Sequence, residues 1–239
     1  MTMRCRRALL VLAAAIAAAG CGEEERAVSG GTASRRVDVA GVTRLEVDAG
    51  FDVRVGVGQP EVAVVTYDEG IAELIDVGVA GGTLQVRLKP TDAIEDWPDP
   101  RAEVTVRRLE GIRVAGGSTV TVATRIEGPA LRLELSGSSL VAADLGVERA
   151  EGTVSGASRL ELTGTAGALE LDGSGASNLA LTGLAVDDLD IQLSGASRAD
   201  VQTDGTIAVQ LSGASQLTYR GTPSFTRRDT SGASTIQPA

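Results

Sequence analysis

The chain has 239 residues, with 22 Lys and Arg against 32 Asp and Glu, a net charge of −10 and 2% aromatic residues. That sign argues against nucleic acid as a partner and against electrostatic docking on anionic lipid. With so few rings the core must be built from Val, Leu, Ile and Ala, and with no histidine the commonest acid-base and metal-ligating side chain is missing.

The N-terminus carries Arg4, Arg6 and Arg7, an apolar run over residues 8–19, and then Gly20-Cys21. This is the layout of a bacterial secretory signal, too short for a comfortable membrane-spanning helix. Ala18-Ala19-Gly20-Cys21 resembles the lipobox of bacterial lipoproteins, with Ala18 where leucine is usual. The resemblance implies a signal peptide over 1–20, lipid on Cys21, and attachment to a membrane through that lipid. The alternative is an ordinary secretory signal cleaved nearby, leaving a soluble protein. Cys5 lies in the signal, so no disulfide framework or cysteine-based metal site is available to the folded part. Without the three arginines the charge is 19 − 32 = −13.

Residues 21–36 are polar, small and aperiodic, and read as a lipidated cysteine with a flexible tether. A single domain is expected over 37–239. Its first part holds alternating runs, Leu45-x-Val47, Val53-x-Val55-x-Val57, Val62-x-Val64, Leu84-x-Val86-x-Leu88 and Val104-x-Val106, which predict irregular β coils continuous with the C-terminal half of the chain. Residues 69–76 are expected to form one short helix. Residues 91–100 are an excursion, because two prolines cannot sit in a central ladder.

From residue 136 one phrase recurs. Ser-Gly-Ser-Ser at 136–139 is followed by Ser-Gly-Ala-Ser at 155–158, 174–177, 194–197, 212–215 and 231–234, in steps of 19, 19, 20, 18 and 19 residues. A degenerate copy, Ala115-Gly116-Gly117-Ser118, precedes them. A fixed period near 20 signals a solenoid, in which no coil can bury its apolar side until its neighbours stack on it. The period within each unit is two, as in Leu189-x-Ile191-x-Leu193, which is strand patterning. Leucine-rich repeats need a helical segment that the Gly and Thr of these units do not supply, so a parallel β-helix with coils of about 19 residues is expected.

Apolar parity runs unbroken through each phrase, so the chain is either extended there or bends without losing register. On that register Gly156, Ser158, Gly175, Ser177, Gly195, Ser197, Gly213, Ser215, Gly232 and Ser234 face inward at a narrow corner, with the first Ser and the Ala outward.

The lipobox, Ala49-Gly50-Phe51-Asp52-Val53, the Gly81-Gly82-Thr83-Leu84 turn and the tandem phrases ending in YRGTPSFTRRDTSGAST together resemble the putative auto-transporter adhesin, head GIN domain family of bacterial envelope proteins. The likeness covers about residues 37–236. Family members usually place Gly where this chain has the second Ser of the phrase. The resemblance implies a right-handed parallel β-helix and an adhesin-like role.

For function, polysaccharide-cleaving β-helix enzymes are a remote alternative, since they need clustered carboxylates with Ca²⁺, a basic residue and a groove of long side chains. No such constellation can be pointed to here, and no cofactor is implied. Asp92, Glu95, Asp96 and Asp99 crowd one loop beside Trp97, and oxygen-rich clusters suit Ca²⁺, but their spacing matches no EF-hand or RTX pattern and a solvated acidic loop with a packed Trp is the plainer reading. Two non-enzymatic roles stay open: an adhesin or ligand-binding module taking glycans, and a structural or sensory lipoprotein contacting other envelope proteins. Both place the protein in the bacterial cell envelope.

Overall fold

A computed structural model of the protein describes residues 31–89 and 100–239. In chain order its strands are β1 (Thr32–Asp38), β2 (Arg44–Val47), β3 (Asp52–Val57), β4 (Val62–Asp68), β5 (Ile75–Ala80), β6 (Thr83–Leu88), β7 (Arg101–Val106), β8 (Gly111–Val114) and β9 (Thr119–Val122). They continue with β10 (Ile126–Leu135), β11 (Leu140–Val154), β12 (Arg159–Gly173), β13 (Asn178–Leu193), β14 (Arg198–Gln202), β15 (Thr206–Leu211), β16 (Gln216–Arg220), β17 (Ser224–Thr230) and β18 (Thr235–Pro238). Together they form a β-solenoid of stacked parallel coils with a spacing near 19 residues.

Two long walls meet at the repeated phrase. Wall A stacks β5, β6, β2 and β8, then 130–135 of β10, 149–154 of β11, 168–173 of β12, 188–193 of β13, β15 and β17. Wall B stacks β1, β4, β7, β3 and β9, then 140–144 of β11, 159–163 of β12, 178–181 of β13, β14, β16 and β18. A short third wall, 126–128, 145–147, 164–166 and 184–186, joins B back to A in the middle coils. Further on, a tight connection through Thr203, Asp204 and Gly205 replaces it. There the Thr203 hydroxyl donates to the Val186 carbonyl and accepts from the Gly205 N–H, and Asp204 accepts from the N–H and hydroxyl of Thr222.

The period of two puts Leu and Val of each wall inside, and the coils interlock through glycines. A methyl on Gly152 would lie 2.5 Å from Leu171, and one on Gly173 2.6 Å from Leu193. The leucine of the next coil therefore fills the space the glycine leaves. Removing such a leucine from water contributes about 1.5–3 kcal/mol, and close packing makes the fit sensitive to single methyl groups.

The first part departs from the expected order of coils. The β2–β3 coil, first in sequence, lies between the later β6–β7 and β8–β9 coils. The segment between them forms the end of the stack, where β1, β4 and β5 run antiparallel to their neighbours. Three expectations are corrected here. Residues 32–36 belong to β1, paired along β4, and not to a tether. The helix expected over 69–76 is a single 3-10 turn, Glu69–Ile71, capped by Asp68; Ile75 already starts β5, which runs antiparallel along β6 with Ile75 opposite Leu88. In β4 the buried face is Ala63, Val65 and Tyr67, with Val62 and Val64 half-buried.

The four Phe and Tyr residues sit at the two ends of the stack. Phe51 and Tyr67 are buried near the first end, and Tyr219 and Phe225 meet edge to face, with centroids 5.3 Å apart, at the other. In the last coil Arg228 stands in register with Val209, an inward position. Its guanidinium lies 5.1 Å from the centre of the Phe225 ring and donates to the Ile236 carbonyl across the open end.

Candidate functional site

Each phrase is a tight turn between wall A and wall B. The second serine is fully buried, with Ser158, Ser177, Ser197 and Ser215 at most 1% exposed. Its hydroxyl donates to the carbonyl of the first serine, as from Ser158 to Ser155 at 2.7 Å and from Ser215 to Ser212 at 2.8 Å. A buried hydroxyl is thereby satisfied without leaving the turn.

The glycines do not point inward as the register suggested. Gly156, Gly175, Gly195, Gly213 and Gly232 are exposed, with φ between 69° and 76°, and each faces the coil before it. The N–H groups of Ala176, Ala196, Ala214 and Ala233 donate at 2.7 Å to the carbonyls of Gly156, Gly175, Gly195 and Gly213. Parity misled because two turn residues leave the strands in phase while their own side chains swing toward the stacking axis. In the last coil Ser234 is only half-buried, since no further coil covers it.

Beside the corner, wall A carries an open groove of about 420 Å³ along the stack. One edge is the column of first serines, Ser174, Ser194, Ser212 and Ser231; the other is Thr153, Asp172, Gln192, Gln210 and Asp229 on five successive coils. These side chains point outward because Val154, Leu193 and Leu211 beside them fill the interior, Leu193 also taking the space over Gly173. Asp229 is paired with Arg227 at 2.8 Å. On the neighbouring columns of the same wall stand Glu151, Glu170, Asp188 and Asp190.

A family model described as "Putative auto-transporter adhesin, head GIN domain" matches residues 41–223. The chain belongs to this family. A crystal structure described as a putative adhesin from Bacteroides fragilis superposes with a TM-score of 0.83 at 18% identity, covering 89% of this chain and 99% of that one. A putative adhesin from Parabacteroides distasonis gives 0.71 at 17% identity over 89% and 98% of the two chains. A protein from the same species described as a putative lipid binding protein gives 0.69 at 12% identity over 88% and 97%. At these identities the likeness concerns the fold. No curated protein matches the chain.

In this head GIN domain the residues singled out from sequence fall into two groups. The corner glycines and serines come together in one stacked column. Cys21, and Asp92, Glu95, Asp96 and Asp99 with Trp97, lie outside the described residues. Among the described residues no group of three carboxylate, thiol or imidazole side chains is arranged to hold a metal ion. Sequence reasoning missed the groove. The signal was present, since Thr153, Asp172, Gln192, Gln210 and Asp229 all sit two residues before the first serine of a phrase.

Proposed function

We propose that the protein is an exported, lipid-anchored, adhesin-like binding module of the bacterial cell envelope, and that wall A is its binding face. What supports the reading is the position of the two ends. β1, which comes after the segment carrying Cys21, forms the edge of the stack remote from β17 and β18. An anchor there holds the stack at one end and presents the groove along its length and beyond. A rigid solenoid suits such display, because stacked coils repeat one surface chemistry at fixed intervals. The reading assigns binding without catalysis.

Stable anchoring takes more than one acyl chain, as a lipidated N-terminal cysteine supplies. Replacing Cys21 with Ser should move the protein from the membrane fraction to the soluble one and abolish adhesion of cells that display it. Unchanged fractionation with no lipid mass on the N-terminal peptide would remove the anchor from this picture. Adhesion equal to that of cells lacking the protein would remove the binding role.

A further inference from the structure

We infer that the wall A groove takes a linear β-1,4-linked amino-sugar polymer carrying free amines, laid along the stack with one sugar per coil; this rests on the binding role just proposed. The first observation is that, apart from Asp229 and Ser231 in the last coil, the polar side chains at the two edges of the groove are left unpaired by the protein itself. Thr153, Asp172, Gln192 and Gln210, and the hydroxyls of Ser174, Ser194 and Ser212, make no side-chain hydrogen bond or ion pair with any described residue. Elsewhere on the same wall the outward side chains are tied to one another, as Arg113 and Arg132 are to Glu134.

The second observation is spacing. Equivalent groups recur once per coil, about 4.8 Å apart. A β-1,4-linked sugar ribbon advances by close to that distance per residue with alternate sugars turned over, so each sugar meets one coil's pair of groups, a Ser hydroxyl and a Gln, Asp or Thr side chain, and the same edge of the ribbon returns at every second coil. An extended peptide advances about 3.3 Å per residue and presents a given face every second residue, so it slips out of phase within two coils.

The third is charge. Residues 126–239 hold 7 Lys and Arg against 14 Asp and Glu, whereas the described residues before them hold 11 of each. On wall A of the repeat coils Glu170, Asp172, Asp188 and Asp190 have no cationic partner within ion-pair distance, and Asp190 Oδ1 is buried with no hydrogen-bond partner. Arg149 borders Glu170, Asp188 and Asp190 on the same wall without reaching ion-pair distance of any of them. That field repels polyanionic glycans and complements ammonium groups. No aromatic ring lines the groove, so each sugar is held by hydrogen bonds and charge alone, and affinity has to accumulate along the chain.

The test is calorimetric titration of the full-length chain in detergent with glucosamine oligomers of two to six β-1,4-linked sugars, free and N-acetylated. The free-amine series should tighten at least tenfold from two sugars to five and level off between five and six. Its pentamer should bind more tightly than the acetylated pentamer and weaken with salt. Asp172→Asn and Gln192→Ala should each weaken the pentamer at least fivefold, while Asn178→Ala on wall B leaves it unchanged. Failure to bind the pentamer at millimolar concentration, affinity independent of length, or indifference to Asp172→Asn and Gln192→Ala would each overturn the inference. So would equal affinity for an oligolysine, which would make the wall a general polycation surface. If oligomers fail to bind while cells displaying the protein still adhere, this inference alone falls; if adhesion is also absent, the binding role falls with it.

Discussion

Gly195 stacks directly on Gly175: a methyl placed on Gly195 would lie 2.5 Å from the Gly175 carbonyl oxygen, the oxygen that already accepts from the Ala196 N–H at 2.7 Å. The glycine is needed twice over, for its φ of 74° and for the absence of a side chain along the stacking axis. Gly195→Ala is expected to cost about 1–3 kcal/mol. Ala196→Leu, at an exposed position, is expected to cost less than about 0.5 kcal/mol. Urea unfolding of the two variants checks both, and a reversed ranking would mean that the turn is misassigned.

Ser197 fills the inner side of the same turn, 0% exposed, donating to the Ser194 carbonyl at 2.9 Å. Ser197→Ala should cost about 0.5–1.5 kcal/mol, the net worth of one hydrogen bond. Ser197→Leu should cost about 1–3 kcal/mol through overpacking. Equal stability of Ser197→Leu and wild type in denaturant would show the corner to be roomier than its stacked serines indicate. Phe51 gives scale: it stands opposite Ser118 in the adjacent coil, fully buried, where the Phe51 N–H reaches the Ser118 hydroxyl at 3.3 Å. On the other side the next residue, Asp52, donates its N–H to the Pro100 carbonyl at 3.0 Å, so no corner serine stands there.

Arg228 places a charge at an inward position of an otherwise unpaired edge, a device that discourages edge-to-edge association. Arg228→Val should extend the apolar interior to the open end and produce concentration-dependent self-association in analytical ultracentrifugation. A variant that stays monomeric as readily as the parent would mean that Arg228 is not what keeps the end closed.

Asp204 is held below the ordinary carboxylate range by the Thr222 N–H first and the Thr222 hydroxyl second, against a small opposing effect of burial. The group is ionised more readily folded than unfolded, so its contribution is complete at neutral pH. It is lost as the pH falls through the lowered folded value. Carboxyl-carbon NMR should find the Asp204 midpoint below the ordinary aspartate range, and Thr222→Ala should bring it back up.

The fold was legible wherever the two-residue period and the 19-residue phrase coincide, from Leu140 onward, because apolar alternation reports burial directly. It was not legible at Gly195, whose side of the chain depends on turn dihedrals that parity cannot carry. Nor was it legible in the order of coils, since Leu45, Leu84 and Ile112 look alike in sequence and only pairing tells that Leu45 lies between the other two. The groove escaped for another reason. Thr153, Asp172, Gln192 and Gln210 are chemically unlike, and their equivalence emerges only when the coils are stacked.

The position of the β2–β3 coil sets an order of events for a chain delivered N-terminus first, as in synthesis. One edge of that coil stays open until residue 106 has emerged and the other until residue 122, whereas each repeat coil after 136 adds to a finished surface. β2 and β3 are thus delivered well before their partners, and they wait with unpaired N–H and C=O groups through the interval in which strand edges are most prone to wrong partners. Pulsed hydrogen exchange during refolding should find Val47 and Val55 protected no earlier than Val114 and Val122.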